Sequence, residues 1–231
     1  MISLIFFDLD VTLLNTIDEL GEACNYALTQ CGLPTHSMDE YPHLVGNGIN
    51  RLIERALPPN IATYPTPTGF THQPTIQDWV QTVRQHFVPY YNTHNRDLTH
   101  PYEGISQLLE KLKQKNLQLA VASNKYQQAT EQIVQHYFPE TFDVILGERE
   151  NIPRKPDPQI VFDIFQRINN LATNKTSSLY IGDSLVDIQT ARNANVPIAA
   201  CSWGFVPKQE LESAHPDYLI DAPHQVLDLI V

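Results

Sequence analysis

The sequence predicts an α/β fold, a doubly wound parallel sheet with a helical domain inserted into it. Three observations carry that prediction. Short apolar runs recur along the chain, and from Gly104 onward they alternate with stretches of helical period. A gap of about a hundred residues, too long for a simple crossover, separates the first run from the second.

The first strand is read over Ile2 to Phe7, a wholly apolar run that ends at Asp8. After it, Thr16 and Glu19 resemble a capping box, and Leu20, Cys24, Ala27, Leu28 and Cys31 keep helical spacing until Gly32 supplies a stop. A second helix is expected from near Asn47, with Ile49, Leu52, Ile53, Ala56 and Leu57 on its apolar face. A third uses Ile76, Val80, Val83 and Phe87. Between these two lie Pro58, Pro59, Pro65, Pro67 and Pro74, where no helix persists.

Further strands are read over Leu117 to Ala122, Phe142 to Leu146, Leu179 to Ile181, Val196 to Ala200 and Tyr218 to Ile220. Helical faces lie between them at Ile105, Leu108, Leu109 and Leu112, and at Ile160, Val161, Ile164 and Phe165. Continuous apolar runs joined by helices indicate parallel strands covered on both faces. The expected domains are residues 1–15 with 98–231 for the α/β core, and 16–97 for the helical insert.

Composition narrows the function. With 42% hydrophobic and 18% charged residues, the chain reads as an ordinary globular protein. A formal charge of −11 repels nucleic acid and anionic membrane surfaces, so neither is an expected partner. Cys24, Cys31 and Cys201 form no CxxC pair, which predicts neither a disulfide framework nor a cysteine zinc site and fits a reducing cytoplasm. The opening apolar run lacks the basic flank and length of a signal peptide, and no run of 18 apolar residues occurs.

The chemistry is expected at strand ends. Asp8-Leu9-Asp10 follows the first strand directly, and two such acids beside a buried strand are costly unless they bind a cation or react. A DxD by itself is more often a solvated turn. Here a second strand ends in Ser123-Asn124-Lys125 and another in Gly182-Asp183, with Asp187 four residues on. In open parallel sheets the binding crevice lies outside the carboxyl ends of the strands, so these segments are expected to converge. Lys155 sits in the proline-stiffened Arg154-Lys155-Pro156-Asp157-Pro158. An oxygen-only cluster of aspartates favours Mg²⁺ over zinc, and a cation with a lysine would neutralise a phosphate.

Asp8-Leu9-Asp10-x-Thr12, Ser123, Lys155 and Gly182-Asp183-x-x-x-Asp187 resemble, in order and strand context, the four motifs of the haloacid dehalogenase-like phosphatases. The resemblance spans nearly the whole chain and implies a Rossmann-like core with a helical cap over the active site. It implies that Asp8 attacks phosphorus to form an aspartyl-phosphate and that Asp10 protonates the leaving alkoxide and then activates water. The Asp8 carboxylate, the Asp10 carbonyl, Asp183 and Asp187 would hold Mg²⁺. Thr12, Ser123, Asn124 and Lys155 would contact the phosphate, with Lys155 balancing charge.

Val45-Gly46-Asn47-Gly48, Glu54-Arg55-Ala56-Leu57, Trp203-Gly204 and Pro216-Asp217-Tyr218-Leu219-Ile220 resemble the phosphoglycolate phosphatases of that family. On this resemblance Gly46, Asn47, Gly48 and Arg51 are candidate substrate contacts, Arg51 for a substrate carboxylate. A small phosphorylated metabolite is the expected partner, bound by a monomer or homodimer. One position departs: Val11 stands where the pattern has Gly, and a β-branched residue is expected to disfavour positive φ and to crowd Asp10. A phosphomutase or pyrophosphatase of the same family, or a non-catalytic phosphate-binding module suggested by Val11, are the alternative readings. A phosphonate hydrolase would need a cap lysine, and the first lysine is Lys111.

Overall fold

Strand β1 (Leu4–Phe7) is followed by a tight turn and the two-residue β2 (Leu14–Asn15). The chain then makes helices α1 (Ile17–Gln30), α2 (Tyr41–Leu44), α3 (Ile49–Ala56) and α4 (Ile76–His94). It resumes with β3 (His100–Pro101), α5 (Ile105–Gln114), β4 (Gln118–Tyr126), α6 (Gln127–Tyr137), β5 (Val144–Glu148) and α7 (Gln159–Arg167). Then come β6 (Ser178–Gly182), α8 (Leu185–Ala194), β7 (Ile198–Cys201), α9 (Lys208–Ser213), β8 (Tyr218–Ile220) and a closing 3-10 helix over Pro223–Leu229. The structure, a computed structural model, describes residues 2–46, 48–67, 69–168 and 177–230.

Two compact units emerge, Met1–Asn15 with His100–Val231, and Thr16–Thr99. In the first, a six-stranded sheet has the order β5-β4-β1-β6-β7-β8. Every adjacent pair in it is parallel. The chain therefore builds outward from β1 to β4 and β5, then returns to the other side of β1 through β6. That reversal makes β1 the switch point, where neighbouring crossovers part and leave a crevice at the carboxyl ends of the strands.

The apolar runs become central strands because both their faces are covered. Leu4 to Phe7 are fully buried, as are Leu119 to Ala122. Leu4 and Phe6 pack in one cluster with Ile160, Val161 and Ile164 of α7 and Ile188 and Ala191 of α8. Phe6 meets the Phe165 ring edge-on at 5.2 Å. Burying each such side chain stabilises the fold by about 1.5–3 kcal/mol, so the central strands anchor whatever their ends carry.

The second unit is helical throughout its described elements. Leu20, Cys24, Ala27 and Leu28 are buried along α1, and Gly32 takes φ 67° where the helix stops. Val80, Val83 and Phe87 are buried along α4 as expected, but Ile76 at its start is exposed. The start of α4 is held instead by Thr75, whose hydroxyl accepts from the Asp78 N–H at 3.2 Å while the Asp78 carboxylate accepts from the Thr75 N–H.

One sequence expectation is corrected here. Thr16 precedes α1, yet its hydroxyl makes no cap and is buried without a hydrogen-bond partner. Glu19 does not fold back on it. Its buried carboxylate accepts the backbone N–H groups of Asp97, Leu98 and Thr99 and the Thr99 hydroxyl. These long-range donors take the place of the local box, and they tie residues 97–99 to α1 within the unit Thr16–Thr99.

Candidate active site

At the end of β1 the Asp8 N–H donates to the carbonyl of Ile181 on β6 at 2.9 Å, so the ladder still holds the residue that leaves the sheet. Asp183 follows β6 directly. Asp187 lies one turn into α8, where it completes a capping box with Ser184. Gly182 makes this approach possible: a Cβ there would overlap the Asp187 carboxylate. The strand and the helix meet closely only because position 182 has no side chain.

Lys155 reaches into this group from the loop before α7. Its Nζ lies 2.9 Å from Asp8 Oδ1, 2.8 Å from Asp187 Oδ1 and 2.9 Å from the Ala122 carbonyl, so the three ammonium protons have three acceptors. The Tyr180 hydroxyl stands 3.3 Å from the same nitrogen. With its side chain 2% exposed, an ammonium in this position is tolerable only because carboxylates face it.

Negative charge is nevertheless in excess. Asp8, Asp183 and Asp187 each offer an oxygen within 4.8 Å of the others, against one ammonium. Burial pushes the Asp8 carboxyl up to about 7, Lys155 works against that rise, and Asp187 adds to it. Asp183 is raised well above the usual carboxylate range by burial first and then by Asp187 and Asp8. For Lys155, burial opposes the charge, but Asp187 and Asp8 prevail and hold the ammonium well above its ordinary range. A cluster of hard oxygen donors that is short of positive charge fits a divalent cation.

The remaining expected residues fall into distinct settings. The Thr12 hydroxyl is buried and donates to Asp183 Oδ1 at 2.7 Å, while the Trp203 indole N–H donates to the Thr12 carbonyl at 3.0 Å. Ser123 is buried, and its hydroxyl accepts from the Lys125 N–H at 3.1 Å. Asn124 uses both ends of its amide on the Lys155 backbone, accepting at 2.9 Å and donating at 3.1 Å, and so fastens the lysine loop to β4. Asp8, Thr12, Ser123, Lys155, Asp183 and Asp187 therefore belong to one connected region of the first unit.

Gly46, Gly48 and Arg51 belong to the helical unit, and Asn47 lies outside the described residues. Gly48 precedes α3 with φ 82°. Arg51 is exposed and pairs with Glu54 at 2.7 Å. Arg55 binds the carbonyls of Leu44, Val45 and Gly46 and thereby closes this loop.

Val11 corrects a second expectation. It occupies the left-handed region at φ 70°, and its side chain is buried. The turn imposes this: the Val11 N–H donates to the Leu14 carbonyl at 2.7 Å, and the Leu13 and Leu14 N–H groups donate to the Leu9 carbonyl. Those bonds and the apolar burial offset a left-handed residue's cost of roughly 1–2 kcal/mol.

A family model described as haloacid dehalogenase-like hydrolase matches residues 5–201. The chain belongs to this family. Among curated relatives of this haloacid dehalogenase-like hydrolase, the phosphoglycolate phosphatase of Photobacterium profundum is 29% identical over 230 residues, 99% of this chain and 96% of the relative. That of Aquifex aeolicus is 26% identical over 227 residues, 98% and 95% of the two chains. A solved Lactobacillus delbrueckii subsp. bulgaricus structure, provisionally assigned as a phosphoglycolate phosphatase, superposes with a TM-score of 0.85. It is 29% identical and covers 99% of this chain and 98% of its own. A haloacid dehalogenase-like family protein of Streptococcus pneumoniae, 21% identical and covering 100% and 99% of the two chains, shares the fold with a TM-score of 0.82.

Two further residues join this candidate site. In sequence Lys125 is part of a polar strand end, yet its Nζ lies 2.7 Å and 3.0 Å from the two Asp10 oxygens. Strand alternation from Ser123 was the signal, since it puts 123 and 125 on one face. Tyr180 falls inside the apolar run Leu179 to Ile181. A buried tyrosine hydroxyl needs a partner, and this one finds Lys155, Asp187 and the Ala122 carbonyl.

Proposed function

We propose that this protein is a Mg²⁺-dependent phosphatase that hydrolyses a small phosphate monoester through an aspartyl-phosphate on Asp8, with 2-phosphoglycolate the favoured substrate. The observation that carries the reading is the Lys155 ammonium lodged between Asp8 and Asp187, with Asp183 beside them, at the switch point of the sheet. Three carboxylates can hold a divalent cation, and that cation together with the Lys155 ammonium would suit binding and transfer of a phosphoryl group. The names of the full-length relatives supply the substrate preference.

In this reading an Asp8 oxygen attacks phosphorus and forms the acyl phosphate as the ester P–O bond breaks. Asp10 gives its proton to the departing oxygen. A water then attacks the phosphorus of the acyl phosphate, passes a proton to Asp10 and releases Asp8 and inorganic phosphate. Lys155 keeps Asp8 oriented and offsets charge shared between it and the phosphoryl oxygens. Ser123 and neighbouring N–H groups are the proposed phosphate donors, whereas Thr12 acts through Asp183 and Asn124 through the Lys155 loop. A magnesium ion held by the Asp8, Asp183 and Asp187 carboxylates and the Asp10 carbonyl would supply the positive charge the cluster lacks. For the insert, Gly46, Asn47, Gly48 and Arg51 remain proposed substrate contacts on the resemblance. A cytoplasmic location is proposed in keeping with the unpaired cysteines, and no helix among the described residues is long and apolar enough to cross a membrane.

Release of inorganic phosphate from 2-phosphoglycolate, β-glycerophosphate, a sugar 1-phosphate and pyrophosphate, each with Mg²⁺ and after chelation, tests the reading. The expected outcome is Mg²⁺-dependent turnover with the highest kcat/KM on 2-phosphoglycolate. Interconversion of sugar phosphates without phosphate release would assign a mutase, and preference for pyrophosphate a pyrophosphatase. No turnover of any of the four would sink the phosphatase reading.

A further inference from the structure

We infer that Lys125 is a positioning residue for Asp10, holding its carboxylate where a proton can pass to the leaving group; this rests on the phosphatase reading above. The Lys125 Nζ sits 2.7 Å from Asp10 Oδ1 and 3.0 Å from Oδ2, so it spans both oxygens of the carboxylate. Its side chain is 4% exposed, while that of Asp10 is 22% exposed. The terminal torsion of an aspartate is soft and broad. An ammonium bridging both oxygens removes that freedom.

Asp10 is fixed from two directions. Its backbone belongs to the turn closed by the Val11–Leu14 and Leu13–Leu9 bonds, with Val11 at φ 70°. Its side chain is fixed from β4. There the pairing with β5 slips, since Ala122 faces Leu146 but Tyr126 faces Glu148. Four residue steps on β4 thus match two on β5, an irregularity of the kind that re-aims side chains beside active sites. The displaced residues are Ser123, Asn124 and Lys125.

The Lys125 backbone is secured at both ends within this irregular stretch. Its N–H donates to the Ser123 hydroxyl at 3.1 Å, and its carbonyl accepts from the Thr130 hydroxyl at 3.0 Å. Gly147 of β5 leaves the carbonyl its place, because a Cβ there would overlap the Lys125 oxygen. Three neighbours therefore define where the lysine starts, and Asp10 defines where it ends. Proton transfer needs donor and acceptor at hydrogen-bond distance, and a misplacement of about 1 Å costs about 100-fold.

The test compares leaving groups. An alkyl alkoxide needs a proton from Asp10 to depart, whereas p-nitrophenolate departs without one. In both cases the acyl phosphate needs Asp10 as base. Lys125→Met keeps the apolar stem of the side chain, one atom shorter, and removes the ammonium. Its kcat on 2-phosphoglycolate or β-glycerophosphate is expected to fall about 100-fold, with KM near the wild-type value. On p-nitrophenyl phosphate it should release a burst of nitrophenolate stoichiometric with enzyme, and mass spectrometry of quenched protein should find Asp8 phosphorylated. Lys125→Arg keeps the charge and changes the reach, so a smaller loss with the same split carries the test if the methionine variant does not fold. Equal losses on both substrate types, with no burst and no phosphorylated Asp8, would overturn the role of Lys125 alone. Wild-type enzyme that turns over neither substrate would overturn the phosphatase reading and this inference with it.

Discussion

Buried carboxylates occur in both units of this protein, and their surroundings differ in kind. Glu19 of the helical unit is enclosed by donors that carry no charge: three backbone N–H groups and a hydroxyl. Its lone pairs are satisfied and its work is to tie residues 97–99 to α1. Asp8, Asp183 and Asp187 of the α/β unit have one ammonium among them, and burial lifts Asp8 and Asp183 away from their ordinary range. A structural carboxylate is complete within the fold, whereas the Asp8, Asp183 and Asp187 cluster keeps an excess of negative charge, the condition that suits a divalent cation.

The comparison predicts opposite responses to neutralising one acid in each place. Asp8→Asn should lower kcat by roughly 10⁴–10⁶, the range seen when a covalent nucleophile is deleted. At the same time the metal-free melting temperature should stay level or rise, because one charge leaves an over-negative cluster. Turnover above a tenth of wild type would remove Asp8 from the nucleophile's role. A sharp fall in metal-free stability would mean that its pair with Lys155 outweighs the crowding of like charge.

Chelation should abolish turnover, and Mg²⁺ should restore it. Ca²⁺, which accepts six to eight oxygens in irregular geometry, should bind and inhibit. Thermal melts provide a readout independent of activity: Mg²⁺ is expected to raise the melting temperature of wild type and to leave Asp183→Asn unmoved. Full hydrolysis in excess chelator, with no metal found by elemental analysis, would contradict the charge-deficit account.

In the helical unit the sign reverses. Glu19→Gln keeps the shape but loses the charge and turns an amide NH₂ toward N–H donors. Unfolding in urea should register a loss of about 1–3 kcal/mol, the cost of leaving buried polar groups unpaired. An unchanged urea midpoint would show that water replaces the carboxylate and that the contrast between the two sites is overstated.

The smallest effect is expected at Val11. Val11→Gly relieves roughly 1–2 kcal/mol of left-handed strain, while glycine's added chain entropy opposes it by about 0.5–1 kcal/mol. Losing a buried valine, at the low end of the range for apolar side chains, removes about 1.5 kcal/mol more. The net change in stability should therefore be near zero or slightly unfavourable. Because Val11 already holds φ 70°, kcat should stay within about twofold of wild type. A severalfold rise would instead mean that the valine methyls crowd Asp10.

Much of this was legible in the residues themselves. Unbroken apolar runs such as Leu4 to Phe7 specify central parallel strands because only a strand covered on both faces can use them, and acids placed directly after such runs mark the crevice. Asp8, Lys155, Asp183 and Asp187 are candidates from their places at strand ends and in a stiff loop, and from the resemblance of their order to a known family's motifs. The partners could not be read in this way. Whether Glu19 would cap α1 or bind a segment some eighty residues away was a contest between a local and a long-range set of donors. Alternation along β4 puts Lys125 on the face of Ser123, but its meeting with Asp10 across 115 positions is not written in any local period. Val11 accepts a backbone angle that its side chain resists, because four neighbouring backbone groups have already closed the turn. Sequence thus determined which groups were available and on which elements they ride, since periodicity and steric preference act within a few residues. Only the tertiary structure decided which of them touch, because pairing energies are set by burial and by distances that close when the sheet assembles.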